Sequence, residues 1–362
     1  MRSEIFKNRI KEVRKELREK RLDARILTVG YDVSYLSGFW GEDSWLILTD
    51  RAVILVTDSR YTLAAKRECP ACKIYERKGS MIDATAEVLK KLSTVKVAAV
   101  EDRIELAMFK GLRKKLSVRL KTVKGLVDSV RQIKDKTEIT AIRKAAALSQ
   151  KILGKMLPQI RIGMSEIEAA AILDFGLEKA GARPVFETTV AFGSNSAMPH
   201  HHPTTRKLKK VDTILIDFGA KLNGYCSDLT RCFAVGKVND FYSKVYRTVF
   251  NAQANAIKGL KAGVKAKDVD AAAKEIIAAA KLPPYGHGLS HGLGLEVHEL
   301  PVVSAISKAS LQKDNVITVE PAVYFPGKFG IRIEDDVLVT ENGCEILSSP
   351  LKNDKVPLLK VE

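Results

Sequence analysis

The sequence predicts an α/β chain, α+β in overall arrangement, built as two domains with an internal duplication in the second. Three observations point that way. Short β-branched runs alternate with helical stretches through the first third of the chain, the pattern of a mixed sheet flanked by helices. Further on a faint repeat appears: Gly163-Met164 leads into the alanine-rich Glu166–Ala171, and Gly263-Val264 leads into Asp268–Ala273. Four carboxylates keep step with that repeat, since Asp217 to Glu320 is 103 residues and Asp228 to Glu334 is 106. Two similar halves facing each other bring both carboxylate pairs to one centre.

Taken in order, residues 3–22 have helical spacing, with Ile5, Phe6, Ile10, Val13 and Leu17 on one face and charge elsewhere. Strand-type runs follow at Ala24–Val29, Ser44–Leu48 and Ala52–Val56, broken by Gly30-Tyr31-Asp32 and Gly41-Glu42-Asp43. Helices fit Tyr61–Arg67 and Met81–Leu92, and Val95–Val100 reads as another strand. Trp40 and Trp45 are expected in the core of this part, Trp40 alternatively lining a pocket. The junction falls near Asp128–Lys136, which divides the chain into domains 1–132 and 133–362. Beyond it Thr137–Pro158 is strongly helical and a second helix starts near Ser165.

The 362 residues suit two domains, and 46% hydrophobic with 28% charged residues is ordinary for a globular protein. No apolar run reaches membrane-spanning length, and the charged start lacks a signal-peptide core, so a cytoplasmic enzyme is expected. Five cysteines do not make a disulfide framework. Cys69-Pro70-Ala71-Cys72 is read as a structural loop, and Cys226 as a small buried thiol. The net charge of +17 is spread over both domains. No aromatic interleaving or nucleic-acid motif accompanies it, so it is assigned to solubility rather than nucleic-acid binding.

The chemistry concentrates in few places. All six histidines fall in two clusters, His200-His201-His202 and His287, His291, His298, the latter within the glycine-rich HGLSHGLGLEVHE. Imidazole titrates near neutrality and is the commonest neutral metal ligand. Asp217 ends the apolar run Thr213–Ile216, and Glu320 ends Val316–Val319. Asp228 lies in AKLNGYCSDLTRCFAV and Glu334 in GIRIEDDVLV. A carboxylate buried at the end of a core strand is costly unless something cationic meets it. Four carboxylates with one or two imidazoles make a mostly oxygen ligand set, suited to a pair of divalent ions such as Mn, Co or Zn.

Asp217, Asp228, His291, Glu320 and Glu334, in the strings IDFGA, SDLTR, HGLSHGLGLEVHE, VEPAVY and GIRIEDDVLVTENG, resemble the five metal ligands of the pita-bread metallopeptidases. The strings are most similar to the Xaa-Pro branch, the relatives of aminopeptidase P and prolidase. The resemblance extends over nearly the whole chain. It implies a creatinase-type amino-terminal domain without catalytic residues of its own, which helps wall the active site. A pita-bread catalytic domain with a pseudo-twofold axis and two divalent metal ions would follow it.

By this resemblance Asp228 and Glu334 bridge both metals, Asp217 completes one ion, and His291 and Glu320 complete the other. Glu320 is also the expected general base. His200, in SAMPH, is the substrate-pocket histidine, His298 meets the scissile carbonyl or the amine, and His287 shapes the pocket. Arg332 is expected to orient Glu334, with Thr230 as a supporting partner. His201 and His202 depart from the family pattern and are expected on the surface. The implied substrate is a peptide with proline second, and the implied assembly a homodimer. Val302 stands where prolidase-like relatives carry arginine, which favours aminopeptidase P over prolidase. A metal-free creatinase-like hydrolase and an inactive binding protein are the rival readings, and retention of all five ligands argues against both.

Overall fold

The computed structural model describes residues 2–348 and 351–360. The chain separates into two compact units, Met1–Arg131 and Gln132–Glu362. Among the described residues no helix is long and apolar enough to cross a membrane.

The first unit runs α1 (Arg2–Glu19), β1 (Ala24–Leu27), α2 (Gly30–Ser37), β2 (Trp45–Thr49), β3 (Val53–Thr57), α3 (Thr62–Glu68), β4 (Lys73–Glu76), α4 (Met81–Lys90), β5 (Val97–Glu101), α5 (Leu106–Lys115), β6 (Arg119–Val123) and α6 (Asp128–Arg131). Its six-stranded sheet has the order β4-β3-β2-β1-β5-β6. The pairs β1–β2 and β2–β3 are antiparallel and the others parallel, which makes the sheet mixed. On α1 the apolar stripe Phe6, Ile10, Val13 and Leu17 is buried, as its spacing requires.

Two features differ from expectation here. Gly30-Tyr31-Asp32 interrupts the strand runs as expected, but it does so by starting a helix, α2. This helix hides polar residues, so it shows no apolar period. Ser34 Oγ donates to the carbonyls of Gly30 and Phe39, Ser37 Oγ donates to that of Val33, and Asp32 accepts from Arg131. Gly38, at φ +80°, ends it, in the left-handed region that only glycine enters without strain. Trp45 is buried, but Trp40 is 47% exposed and not part of the core.

The second unit opens with α7 (Lys136–Met156) and α8 (Glu166–Lys179), both started by capping boxes, at Asp135/Glu138 and Ser165/Glu168. Strands β7 (Arg183–Pro184), β8 (Thr189–Phe192), β9 (Thr213–Phe218), β10 (Ala220–Leu222), β11 (Tyr225–Cys226) and β12 (Leu229–Val235) complete its first half. The second half repeats the scheme with α9 (Asp240–Lys258), α10 (Ala266–Ala279), β13 (Ser290–Gly292), β14 (Glu299–Val303), β15 (Val316–Val319), β16 (Ala322–Phe325), β17 (Phe329–Arg332), β18 (Asp335–Val339) and β19 (Cys344–Ile346). A short β20 (Leu358–Leu359) returns to pair with β12.

The duplication holds in detail. Gly163 and Gly263 both sit at left-handed φ, +83° and +88°. Each donates its N–H to a leucine carbonyl, Leu208 or Leu311. The bridges Ser165–Lys207 and Lys265–Ser310 then pin the two helix starts alike. Strands β8-β9-β12 on one side and β13-β15-β18 on the other form antiparallel ladders. Strand alternation feeds two cores. Ile214, Ile216 and Phe218 of β9 pack with α7 and α8, while Leu215 joins the cluster around α9 and α10.

Candidate metal centre and active site

Each half offers its acidic residues from equivalent places. Asp217 lies near the end of β9, opposite Thr230 of β12 and Thr189 of β8, and Asp228 immediately precedes β12. Glu320 follows β15, Glu334 lies between β17 and β18, and His291 is on β13. These five converge. His291 Nε2 is 3.8 Å from Asp228 Oδ2 and 3.6 Å from Glu320 Oε1. One ligand atom from each of Asp228, His291 and Glu334 lies within 4.8 Å of the others.

The electrostatics of this cluster are unfavourable without cations. Burial, then Glu334, Asp217 and the other acids around it, push Asp228 well above the usual carboxylate range. Burial and Asp217 raise Glu334 to about 8. Burial and Glu334 raise Glu320 strongly. Asp217 Oδ1 and Asp228 Oδ1 are buried with no hydrogen-bond partner among the described residues. Buried carboxylates that repel one another and leave oxygens unsatisfied fit divalent cations, which supply both the charge and the missing contacts. His291 is prepared for the same task. Its Nδ1–H donates to the Gly292 carbonyl at 3.1 Å, which leaves the Nε2 lone pair facing the acids. Burial, with His298 adding to it, lowers its pKa to about 4, so the ring is neutral.

A hydrogen-bonded layer holds these side chains. Thr230 Oγ1 donates to Glu334 Oε2 at 2.6 Å and accepts from Arg332 Nε at 3.1 Å. Arg332 also donates to Asp217 Oδ2, to the Tyr324 hydroxyl and to the Pro199 carbonyl. Arg332 was expected to orient Glu334; its direct side-chain grip is on Asp217, and it meets Glu334 through Thr230 and through its charge. Burial opposes its charge, yet Tyr324, Asp217, Glu334 and Glu320 outweigh that and raise its pKa.

Sequence reading missed three participants. Tyr324, whose pKa burial pushes up to about 12, bonds Arg332 and lies 3.5 Å from His287 Nε2. Asp336, wholly buried, accepts the Asp228 N–H through both oxygens at 3.2 Å. The only sequence signal for these was their place in AVYF and in the doubled Asp of IEDD. The third is Glu166. Its Oε1 accepts from the Phe192 N–H and Asn195 Nδ2, and its Oε2 from His201 Nε2, the Thr204 N–H and Thr204 Oγ1. His201 was expected on the surface but is only 6% exposed, because this fully buried carboxylate captures it. His202 is exposed as expected, beside Glu187.

His200, His287 and His298 line one cavity of about 510 Å³ together with Asp217, Glu320 and Val302. His287 Nδ1 donates to the Gly288 carbonyl at 2.8 Å and lies 4.0 Å from Glu320 Oε2. The His298 ring packs edge-on against His291, with centroids 4.4 Å apart. Cys226 is buried, its thiol 3.6 Å from the Leu295 carbonyl, and burial raises its pKa to about 12. That suits packing rather than nucleophilic chemistry.

Residues 140–341 match the Metallopeptidase family M24, and residues 9–133 match the Creatinase/Prolidase N-terminal domain. The chain is 33% identical over 351 residues to the Xaa-Pro dipeptidase of Pyrococcus furiosus, covering 95% of this chain and 98% of that one. A solved Xaa-Pro dipeptidase from Bacillus anthracis superposes with a TM-score of 0.95 at 31% identity, over 98% of this chain and 100% of that one. An X-Pro aminopeptidase from Thermotoga maritima MSB8 gives a TM-score of 0.87 at 36% identity, over 95% and 99%. The creatinase-type unit followed by a pita-bread catalytic unit, expected from the resemblance, is thereby established. The chain belongs to metallopeptidase family M24, whose members are hydrolases that work with divalent metal ions.

Proposed function

We propose that the chain is a metal-dependent Xaa-Pro dipeptidase that hydrolyses the bond between an amino-terminal residue and proline in a dipeptide. The observation that carries this is the convergence of Asp217, Asp228, His291, Glu320 and Glu334 on the wall of a cavity that also holds three further histidines. In this reading Asp228 and Glu334 would be shared between two ions, Asp217 would serve one, and His291 and Glu320 would serve the other. When bound, such a pair supplies a water of lowered pKa and a Lewis-acid contact for the scissile carbonyl.

The protein's own groups do the rest. Glu320 is the carboxylate placed to take the water's proton and hand it to the departing proline nitrogen. His298 donates to the carbonyl oxygen as negative charge develops there. His200 and His287 fix the peptide against the acids, and Arg332 with Thr230 keeps Asp217 and Glu334 aimed.

The preference for dipeptides reverses the expectation drawn from Val302. Xaa-Pro dipeptidases recur among the similar proteins, from Pyrococcus furiosus to Bacillus anthracis. The missing arginine weighs less than it did in the sequence, because His200 and His298 line the same cavity as Val302. A ring N–H there can donate to a dipeptide's carboxylate. The exposed Val302, at 47%, still favours the aminopeptidase reading. Comparing kcat/KM for Ala-Pro with Ala-Pro-Ala decides between them. The dipeptide should be the better substrate. A clear preference for the tripeptide makes the enzyme an aminopeptidase, and hydrolysis of neither removes the Xaa-Pro reading.

A further inference from the structure

The peptidase site leaves the Cys-Pro-Ala-Cys segment of the amino-terminal unit unused. Cys69 caps the C-terminus of α3, and β4 begins directly after Cys72. The Cys72 N–H donates to the Cys69 carbonyl at 3.2 Å, which closes the four residues into a turn with Pro70 at its second position. In such a turn the first and fourth Cα atoms lie within about 7 Å. A disulfide needs about 4.4–6.8 Å, so the backbone already holds the two cysteines at bonding separation. Their side chains meet as well: a hydrogen bond with Cys69, then burial, raises the pKa of the Cys72 thiol and keeps it protonated at neutral pH. Both are thiols in the structure, Cys69 buried and Cys72 partly exposed.

The remaining cysteines are placed differently. Cys226, Cys232 and Cys344 donate to the main-chain carbonyls of Leu295, Arg332 and Ile257. A metal use of the pair lacks ligands. Among the described residues, no third His, Cys, Asp or Glu gathers with the two thiols at ligating distance. Two thiols in contact on one hydrogen-bonded turn, with one of them partly exposed, have the arrangement of a dithiol that closes on itself.

We propose that Cys69 and Cys72 form a reversible dithiol–disulfide couple, a modification site that takes low-molecular-weight disulfides as its oxidant. Cys72, the more exposed of the two, attacks one sulfur of a disulfide such as oxidised glutathione once alkaline solution has removed its proton. That S–S bond breaks, and the first glutathione leaves, taking up a proton as the free thiol. Cys69 Sγ then attacks Cys72 Sγ, the mixed disulfide breaks, and the second glutathione leaves with the proton lost by Cys69. Two protein thiols are oxidised by two electrons and one glutathione disulfide is reduced to two thiols. Because Cys69 is already in contact with Cys72, closure outruns capture of a second glutathione. The bond ties the end of α3 to β4, an edge strand of the six-stranded sheet. This inference is independent of the peptidase reading.

The test uses the native full-length protein, incubated with oxidised glutathione in alkaline buffer, blocked with iodoacetamide and digested with trypsin. Cleavage after Arg67 and Lys73 releases both cysteines in one peptide, Glu68–Lys73. The expected product carries neither alkyl nor glutathione groups and is two hydrogens lighter than the dithiol form. Dithiothreitol should restore two alkylation sites. In Cys69→Ser the resolving thiol is gone, so the same peptide should accumulate with glutathione on Cys72. A wild-type peptide that stays doubly alkylated, or that stops as the glutathione adduct, overturns the proposal.

Discussion

Replacing Glu166 by glutamine tests whether a buried carboxylate organises the loop that carries His200. The side chain is fully buried and accepts five hydrogen bonds, two at Oε1 and three at Oε2. A carboxylate only accepts, whereas an amide brings two N–H donors of its own. With the amide nitrogen at the Oε1 position, the Phe192 N–H and Asn195 Nδ2 lose their acceptor. At the Oε2 position the Thr204 hydroxyl can turn, and His201 can change tautomer, to accept, but the Thr204 N–H cannot. The cheaper arrangement thus strands one part-buried donor, at about 1–3 kcal/mol. It also removes the charge assistance from the bonds that survive, at about 1 kcal/mol for each of two. Glu166→Gln should therefore destabilise the catalytic unit by about 3–5 kcal/mol. Both tryptophans lie in the other unit, so urea unfolding followed by far-ultraviolet circular dichroism is the suitable assay.

The pH dependence carries the same signature. Burial alone would raise the Glu166 pKa, but hydrogen bonds from Phe192, Thr204, His201 and Asn195 hold it below the ordinary value. A carboxyl depressed in the fold contributes stability above its unfolded pKa, about 4.3, and loses it as pH falls through the folded value. Wild-type and Glu166→Gln stabilities should then converge in acid. Unfolding free energies within about 1 kcal/mol of each other at neutral pH, with no such convergence, would refute the reasoning.

Other outcomes follow from the same geometry. Asp228→Asn and Glu334→Gln each remove a charge from the centre of the cluster and should abolish both metal retention and hydrolysis. Cys226→Ser and His202→Ala, measured alongside, should keep most activity; an equal loss in Cys226→Ser would mean the roles around Asp228 are misassigned. Thr230→Val removes the hydroxyl between Arg332 and Glu334, so metal affinity by titration calorimetry should fall about 10–100-fold. Unchanged affinity in that variant would reduce the hydroxyl to a packing role.

The five acidic and imidazole residues were legible in the sequence because each lies inside a distinctive string with strand or glycine signals around it. The duplicated halves were legible too, since Gly163 and Gly263 open equivalent helices with equivalent contacts. Burial set by distant partners was not. His201 looks like its neighbour His202 until Glu166, on a helix 35 residues earlier, is placed against it. Arg332 stands two residues from Glu334, but the strand directions turn its guanidinium toward Asp217, 115 residues away. Helix α2 escaped notice because Asp32, Ser34 and Ser37 are inside, against the apolar period that marks a helix. Trp40 shows the reverse, a large apolar side chain that a composition argument places inside and the fold leaves outside.

The account rests on Asp217, Asp228, His291, Glu320 and Glu334 holding a pair of divalent ions. The most direct measurement is elemental analysis of the purified chain, stripped with a chelator and reloaded separately with Mn, Co or Zn. About two ions per chain should be retained at neutral pH. They should be released in acid as the carboxylates and His291 take up protons, and lost from Asp228→Asn at any pH. Protein that binds no divalent ion yet hydrolyses Ala-Pro equally well with and without chelator would contradict the account.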